Sequence, residues 1–413
     1  MDENRPVRHF SKETVILIVV AAIFGLSMAL IGGTCIGFAL GRVTKDSSSG
    51  KSSKAVTSEE QEKLEEIEKL LDKYCLYDYS EEDLTEGIYK GVAASVGDPY
   101  TEYYTKEETD EIFSDISGEY GGIGALLTQD AETKVITVVN VFPGSPAEKS
   151  GILPGDYIIS VAGEEVGERS LDEVVKDIRG DEGTVAELVI VRDGEEMDFS
   201  VTREIVESKM VYAYMLENKV GYIDVMEFTS NMDEQFIEQL NGLMDQGMKG
   251  LIIDLRSNPG GDVDACCNAL DALLPQGCII YTEDKNGDRQ EYSSTGDDEI
   301  GIPVVVLVNG YSASASEIFA GCLMDREAAT IVGTQSYGKG IIQTILPLSD
   351  GSSIKITFSQ YFTPNGKEIQ GKGITPDVIV EPEENDKRVS GSEPNPDSDA
   401  QFKKALEVLE SQM

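Results

Sequence analysis

The chain has 413 residues and a formal charge of −42, from 34 basic and 76 acidic side chains. So acidic a surface repels nucleic acid and anionic lipid headgroups, which argues against a DNA or RNA partner. At roughly 100 to 200 residues per domain, the length predicts two or three domains.

A short N-terminal tail (1–13) precedes an apolar stretch, 14–41, that carries no charged residue. At about 1.5 Å per residue this stretch is long enough to cross a hydrocarbon layer of ~30 Å. It also exceeds the roughly 7 to 15 apolar residues of a signal peptide, so we expect an uncleaved transmembrane helix, with a cleaved signal peptide as the alternative. Basic residues flank it on both sides and give no orientation. Ser, Gly and Lys dominate 42–57, which predicts a flexible stalk.

Helical patterns characterise the next region, 58–116. A capping-box sequence begins at Thr57, and apolar residues then recur at helical spacing. A second helix is predicted over Glu81–Val96, ending at the turn Gly97-Asp98-Pro99-Tyr100, and a third over Lys106–Phe113.

Short strands and glycine turns replace the helical pattern over 117–204, with one helix predicted at Ser170–Ile178. This region contains Gly121-Gly122-Ile123-Gly124-Ala125, then Gly144-Ser145-Pro146-Ala147 and a Gly-Asp turn at 155–156. The glycine loop alone could be an ordinary tight turn, but the whole order resembles a PDZ domain. The resemblance implies that Gly121, Gly122, Ile123, Gly124 and Ala125 bind a peptide carboxylate, while the peptide adds as a strand to the sheet edge.

An alternating pattern of strands and helices follows over 205–382. The predicted strands are Val220–Phe228, Gly250–Leu255, Pro303–Asn309 and Thr330–Val332, and the predicted helices are Asp233–Asp245, Asp262–Leu274 and Ser314–Met324. The acidic tail, 383–413, is rich in Pro, Glu, Asp and Ser, which predicts disorder up to a short helix at Ala400–Leu409.

A serine repeat, Ser312-Ala313-Ser314-Ala315-Ser316-Glu317, lies between a predicted strand and a predicted helix. Serines at a helix start are often simple caps, and a lone lysine such as Lys339 is usually on the surface. The sole histidine, His9, lies on the other side of the predicted membrane segment. A serine nucleophile in the body of the chain would therefore need another base.

The wider order of motifs decides between these interpretations. A strand leads to Asn258-Pro259-Gly260-Gly261, another to the serine repeat, and another to Tyr337-Gly338-Lys339-Gly340, with Gln343 beyond. This order resembles the carboxyl-terminal processing peptidases, also called tail-specific proteases, from about residue 60 to 380. The resemblance implies a multidomain α/β protein in which a PDZ domain is set into a serine protease core with crotonase-like layers.

The same resemblance implies the roles of the site residues. Ser314, 25 residues before Lys339, corresponds to the nucleophile, Lys339 to the general base and Gln343 to the residue that orients it. A lysine base must be neutral, which requires burial without a carboxylate partner. Backbone N–H groups of Ala315 and of Gly260 or Gly261 would bind the oxyanion. No metal or cofactor is needed, and Asp262 and Asp264 are interpreted as carboxylates at a helix N-terminus.

These features together predict a membrane-anchored serine endopeptidase that cleaves near the C-termini of extracytoplasmic proteins. The resemblance places the catalytic part outside a bacterial cytoplasmic membrane, with substrate tails binding the PDZ domain and gating activity; a homo-oligomer is left open. Two alternatives remain: a catalytically silent, membrane-anchored PDZ adaptor, and an acyl-transferring or esterase activity on the crotonase-like layers.

Overall fold

The computed structural model describes residues 57–413 except 131–132, 297–298, 384–385 and 387. The predicted transmembrane helix (14–41), the tail before it and nearly all of the predicted stalk lie outside the described residues. Within the part of the chain that is described, no helix is long and apolar enough to cross a membrane.

The N-terminal region is helical, as its sequence pattern predicts. It consists of α1 (Ser58–Tyr74), α2 (Glu81–Ala94), β1 (Glu102–Tyr104) and α3 (Lys106–Ser117). Each helix starts with a capping box, which satisfies backbone N–H groups that the helix itself cannot. Strand β1 pairs with a strand near the other end of the chain, with Tyr104 opposite Ser353. The N-terminal region is therefore attached directly to the C-terminal part.

Residues 117–204 form the predicted PDZ-like unit. Its elements are β2 (Glu119–Gly122), β3 (Ala125–Gln129), β4 (Ile136–Val141), α4 (Pro146–Ser150), β5 (Tyr157–Val161), β6 (Glu164–Glu165), α5 (Leu171–Ile178), β7 (Val185–Arg192), β8 (Glu195–Thr202) and β9 (Glu204–Glu207). The main sheet has the order β3-β4-β5-β7-β8, with β6 on β5, and β2 pairs with β9. Alternate residues of β7, Ala186, Leu188 and Ile190, are buried in its core. Strand β3 is the edge strand next to α5.

The C-terminal part contains two sheets. Its elements are β10 (Val211–Met215), β11 (Val220–Val225), α6 (Met232–Asp245), β12 (Gly250–Asp254), α7 (Val263–Asp271), β13 (Gly277–Asp284), β14 (Arg289–Ser294), β15 (Val304–Val308), α8 (Ala315–Asp325), β16 (Thr330–Gly333), β17 (Ile341–Pro347), β18 (Ser353–Phe362), β19 (Val378–Ile379) and α9 (Ala400–Gln412).

The larger sheet has the order β10-β11-β12-β15-β16-β19 and is parallel except for β10. All five residues of β15 are buried, which is typical of a parallel strand covered on both faces. Helices α6, α7 and α8 pack on one face around Phe228, Phe236 and Phe319. The carboxyl ends of β12 and β15 thus lie side by side, next to the start of α8.

The smaller sheet is antiparallel, with the order β1-β18-β13-β14 and β17 paired to β18. Strand β17 begins two residues after Lys339. The register places Gln343 opposite Thr357. Strands β1 and β17 both pair with β18. The smaller sheet therefore brings the turn at Asp98, before β1, close to the Lys339 loop, before β17.

The C-terminal tail corrects the prediction of disorder. Phe402, Ala405 and Leu409 of α9 are buried against the second face of the larger sheet, with Tyr222 and Leu307 among their neighbours. The tail also supplies Arg388 and Asp399 to buried ion pairs. Burial of the three apolar residues holds α9 on the sheet, and this helix agrees with the predicted Ala400–Leu409. The correction concerns the residues before it, where Arg388 and Asp399 make these ion pairs.

Candidate active site

Ser314 occupies the turn between β15 and α8. Its φ of +54° and ψ of −115° are unusual for a residue with a side chain, and such strain persists only where neighbours enforce it. The residue is fully buried and forms the N-cap of α8. Ala315 is the first helical residue, whose N–H has no partner within the helix. Ser314 therefore lies at the N-terminus of α8, and its assignment as the nucleophile stays a prediction.

The other two serines of the repeat have supporting roles. The Ser312 hydroxyl donates to the Leu255 carbonyl (2.8 Å) and accepts from the Asn309 N–H (2.9 Å). The Ser316 hydroxyl donates to the Asn258 carbonyl (3.0 Å). Both side chains thus join the serine turn to the turn that follows β12.

Lys339 lies in the loop between β16 and β17 and is 4% exposed. Its amine is 4.8 Å from the ring centroid of Tyr100, which comes from the turn before β1. The flanking glycines allow this burial. A Cβ on Gly340 would lie 2.4 Å from the backbone nitrogen of Gln370, and one on Gly338, at φ +94°, would lie 3.1 Å from two backbone nitrogens. Backbone atoms thus pack closely against both glycines of the Lys339 loop.

Glu317 joins the serine turn to the lysine loop, and sequence reasoning assigned it no role. One carboxylate oxygen accepts from the backbone N–H groups of Ser314 (3.0 Å) and Lys339 (2.8 Å). The other accepts from the Gly338 N–H (2.7 Å) and the Ser336 hydroxyl (2.5 Å). The Ser-x-x-Glu capping-box pattern could have identified it.

Tyr361 makes a second connection between the same two loops. Its hydroxyl donates its one proton to a pair of acceptors, the carbonyl oxygens of Ser314 (3.0 Å) and Lys339. The residue is fully buried in β18. No sequence motif pointed to it, because its contacts depend on how the smaller sheet packs against the start of α8.

Gln343 lies on β17 and is fully buried. Its Nε2 donates to the Thr357 hydroxyl (3.3 Å). Within the described part of the chain its Oε1 has no hydrogen-bond partner. A buried carbonyl oxygen without a partner costs free energy and calls for an explanation. The assignment of Gln343 as the orienting residue stays a prediction.

The glycine turn after β12 lies directly against Ser314. A Cβ on Gly260, at φ +106°, would lie 2.7 Å from Ser314 Cβ and 2.9 Å from the Ala315 nitrogen. The Gly260 N–H already donates to Asn258 Oδ1 (2.9 Å). A role for Gly260 as an oxyanion donor would therefore require this bond to break. The assignment of Gly260, Gly261 and Ala315 to that role stays a prediction.

The acidic pair after this turn has the predicted role at a helix start. Asp262 is the N-cap of α7, and its Oδ1 accepts from the Ala265 N–H (2.8 Å). Asp264 follows in the first turn of the same helix. Both carboxylates lie where the helix dipole favours negative charge.

The PDZ-like unit contains a groove of about 280 Å³ between edge strand β3 and helix α5. Four of the five predicted binding residues line it: Gly122, Ile123, Gly124 and Ala125. The fifth, Gly121, lies instead in a neighbouring cleft between α3 and α5. The groove extends to Lys209, Met210 and Tyr212, in the link to the larger sheet. This arrangement suits the predicted strand addition.

Comparison with known proteins identifies the family. Residues 219–380 match the model described as peptidase family S41, and residues 137–192 match a PDZ domain model. A "Carboxy-terminal-processing protease" of Bartonella bacilliformis is 38% identical over 73% of this chain and 70% of its own length. The chain belongs to the carboxyl-terminal processing proteases of peptidase family S41. It is a serine-type peptidase with a PDZ domain and a mixed α/β core.

Other S41 relatives match at similar levels. The "Carboxyl-terminal-processing protease" of Synechocystis is 33% identical over 82% of this peptidase and 80% of its own length. A "Probable CtpA-like serine protease" of Staphylococcus aureus is 35% identical over 77% of this chain and 64% of its own. A solved photosystem II D1 C-terminal processing protease is 29% identical, with a TM-score of 0.47, over 79% of this chain and 94% of its own.

Burial controls the electrostatics of the S41 site. It raises the pKa of Glu317, and the hydrogen bonds from Ser336, Lys339, Gly338 and Ser314 only partly offset that effect. Burial also raises the pKa of Tyr100 to about 12, with a further contribution from Tyr337. The phenol beside the Lys339 amine is therefore neutral at physiological pH and adds no negative charge next to the predicted base.

Proposed function

We propose that this S41 peptidase is an endopeptidase that cleaves near the C-termini of extracytoplasmic proteins, with Ser314 as nucleophile and Lys339 as general base. The observation that carries the proposal is the Glu317 oxygen that accepts from both the Ser314 and the Lys339 backbone N–H. This atom joins the two loops directly, with Tyr361 as a second connection, although Ser314 and Lys339 are 25 positions apart.

In the proposed mechanism the neutral Lys339 amine takes the Ser314 proton as the serine oxygen attacks the scissile carbonyl. The Ala315 N–H, at the positive end of α8, stabilises the oxyanion. The resulting ammonium of Lys339 then gives its proton to the leaving amine. Water hydrolyses the acyl-enzyme in the second half of the cycle, with Lys339 again acting as base.

We further propose that the PDZ groove binds the substrate tail and that occupancy gates the site. The groove borders the link at Lys209. On its other side, Lys176 of α5 pairs with Glu111 of α3 (2.8 Å), and Arg179, the C-cap of α5, pairs with Asp115 of α3 (3.5 Å). Helix α3 follows β1, and the turn before β1 holds Tyr100 against Lys339. Movement of α5 can thus reach the base through α3 and β1.

Membrane attachment through 14–41 and an extracytoplasmic location of the catalytic part remain part of the proposal. The support is the apolar sequence of that segment and the family. The alternative of a silent adaptor keeps the groove but leaves Ser314 and Lys339 without a catalytic role.

The test compares the full-length chain with Ser314→Ala and Lys339→Ala on an unfolded protein of known C-terminus. Each variant should lower cleavage by at least about 1,000-fold, because the nucleophile or its base is missing. Matched controls are Ser293→Ala and Lys285→Ala, both exposed on the β13–β14 hairpin, which should cleave like the wild type. Mass spectrometry of the products locates the cut sites.

A second arm uses the same substrate with an amidated C-terminus, which should be cleaved more slowly because the groove loses the carboxylate. Cleavage that persists in Ser314→Ala or Lys339→Ala contradicts the dyad. Absence of cleavage in every protein favours the adaptor, and hydrolysis of a small ester without peptide cleavage favours the esterase. Equal rates on the free and amidated substrates contradict tail recognition.

A further inference from the structure

The side-chain amide of Gln343 is hydrogen-bonded at one end only. On the paired strand, the Thr357 hydroxyl accepts from its Nε2 at 3.3 Å. Its Oε1 is buried and, among the described residues, accepts no hydrogen bond. The two ends of an amide are chemically different, because the nitrogen only donates and the oxygen only accepts. The question is therefore what prevents Gln343 from rotating by half a turn.

The partner of Thr357 answers this question. A hydroxyl has a single proton to donate, and a hydrogen bond from the Thr357 side chain is among the causes that lower the pKa of the Asp98 carboxylate. Since the carboxylate only accepts, the Thr357 proton is committed to it. The Thr357 oxygen can then only accept from Gln343, which forces the Nε2 end toward Thr357. The Oε1 end must therefore point away.

Asp98 is itself held by three donors. In addition to the Thr357 hydroxyl, its carboxylate accepts from the Tyr100 N–H (3.1 Å) and the Thr101 hydroxyl (2.7 Å). Burial alone would raise the pKa of Asp98, but these hydrogen bonds outweigh it and keep the pKa below its usual range. The group is ionised near neutral pH, so it always accepts the Thr357 proton.

The same turn reaches the catalytic lysine. Tyr100, two residues after Asp98, places its ring 4.8 Å from the Lys339 amine. Direct contacts thus run from the amine to Tyr100, then through Asp98 and Thr357 to Gln343. Gly97-Asp98-Pro99-Tyr100 lies more than 200 positions before Lys339 in the chain, and it joins the site because β1 pairs with β18.

We propose that Asp98 and Thr357 are positioning residues that fix the Gln343 amide with its carbonyl oxygen presented to the Lys339 amine. The inference rests on the proposed Ser314–Lys339 dyad. A hydrogen bond to this oxygen forms as Lys339 becomes an ammonium, since catalytic hydrogen bonds commonly tighten only along the reaction. The oxygen then stabilises the charge that Lys339 acquires from Ser314.

The test is a pair of substitutions on the full-length chain, Thr357→Val and Thr357→Ser. Valine has the shape of threonine without the hydroxyl, and serine retains the hydroxyl. We expect Thr357→Val to lower kcat by about 10- to 100-fold, the usual effect of losing an outer-shell partner, with KM little changed. Thr357→Ser should stay within about threefold of the wild type, well below the loss expected for Thr357→Val. Asp98→Asn, which removes the charge that attracts the Thr357 proton, should lower kcat in the same direction but less.

The pH profile distinguishes positioning from a general structural effect. An ammonium that loses an acceptor is less stable relative to the amine, so the pKa of Lys339 falls. The acid limb of kcat/KM should therefore move to lower pH in Thr357→Val and stay in place in Thr357→Ser. Tyr100, Tyr337 and Glu317 also surround the lysine loop, and they are unchanged in both variants. Urea unfolding of each protein controls for stability.

Two results overturn the inference: a kcat in Thr357→Val within threefold of the wild type, or a loss of kcat in Thr357→Val with an unmoved acid limb. A Thr357→Ser enzyme as slow as Thr357→Val does so too, because the hydroxyl would not matter. Ser314→Ala and Lys339→Ala are run in parallel. If either retains activity, the proposed dyad fails and the positioning role fails with it; if both are inactive, the Thr357 results concern positioning alone.

Discussion

Asp254, at the end of β12, and Glu317, in the first turn of α8, are both buried carboxylates. Their negative charges are stabilised in different ways. Asp254 bonds the guanidinium groups of Arg256 (2.6 Å) and Arg388 (3.1 Å). Glu317 accepts four hydrogen bonds from neutral donors, three N–H groups and one hydroxyl. One cluster is thus held by opposite charge and the other by dipoles.

The difference affects the pKa of each group. Burial alone would raise the pKa of Asp254, but the charges of Arg256 and Arg388 outweigh it and hold the pKa well below its usual range. Burial raises the pKa of Glu317, because dipoles compensate for lost water less completely. We infer that the arginine cluster, which contains Asp254, Arg256 and Arg388, stabilises the scaffold. The Glu317 cluster, which contains Glu317 and its four donors, sets the geometry of the Ser314 and Lys339 loops without placing another cation beside Lys339.

The largest expected effect comes from removing a charge from the arginine cluster. Arg256 is 4% exposed and also pairs with Asp399, the N-cap of α9 (2.7 Å). Arg256→Met leaves two buried carboxylates short of a partner. We expect it to lower the free energy of unfolding by about 3 to 5 kcal/mol, the usual cost of breaking a buried ion pair from one side. Urea unfolding of the full-length chain measures this change.

The matched control for this substitution is Arg289→Met, which breaks an ion pair with Glu283 on the surface. Exposed pairs contribute little, so the control should change the free energy of unfolding by less than about 1 kcal/mol. If Arg256→Met lowered the free energy of unfolding no more than Arg289→Met does, the arginine cluster would not stabilise the scaffold in the way that we infer.

A smaller effect is expected from a substitution in the Glu317 cluster, and it should lower activity rather than stability. Glu317→Gln replaces one carboxylate oxygen by an NH₂ group, which would face N–H donors instead of accepting from them. We expect kcat to fall by about 100-fold, equivalent to about 2.7 kcal/mol, because the Ser314 and Lys339 loops lose their shared acceptor. Steady-state kinetics on the unfolded-protein substrate checks this.

The control is the same substitution at Glu283, which lies on β13 outside the catalytic loops and should leave kcat unchanged. A Glu317→Gln enzyme with wild-type kcat would show that Tyr361 alone holds the loops together. A Glu317→Gln enzyme that loses stability as severely as Arg256→Met would remove the contrast between a catalytic and a scaffold cluster.

Local sequence determines much of this molecule. The PDZ strands and turns follow from alternating apolar residues and glycines, and the strand-turn-helix around Ser314 follows from a buried run that ends in small residues. Helix bounds agree within a few residues; the predicted Asp233–Asp245 is observed as Met232–Asp245. Motif order and spacing then select Ser314 and Lys339 from the other serines and lysines.

Contacts between distant segments could not be predicted in this way. Arg256 and Asp399 are 143 positions apart, and no local pattern indicates that they meet. The pairing of β1 with β18 likewise depends on the packing of whole layers. Tail composition favoured disorder before α9, because no local pattern indicates that Arg388 pairs with Asp224 and Asp254.

A third carboxylate, Asp224, sharpens the comparison. It pairs with Arg388 of the arginine cluster (2.8 Å), and yet its pKa is raised. Burial, with the negative charge of Asp254 next, raises its pKa to about 6 in spite of Arg388. A folded-state pKa above the unfolded one means that the folded protein binds the proton more tightly. This site therefore gains stability as pH falls from about 6 toward the unfolded value near 3.9. Asp254 has the opposite sign: its contribution is present above about pH 3.9 and is lost below it.

Asp224→Asn should therefore remove a pH dependence that the wild type has. The difference in unfolding free energy, wild type minus variant, should increase between about pH 7 and pH 5, by at most about 1.4 kcal/mol per pH unit. Taking the difference cancels the titration of the other acidic residues. Exposed Asp198→Asn is the control, and its difference should stay flat because that carboxylate is hydrated in both states. A flat difference for Asp224→Asn as well would mean that the arginines neutralise Asp224 as fully as they do Asp254, and the two carboxylates of that cluster would then respond alike.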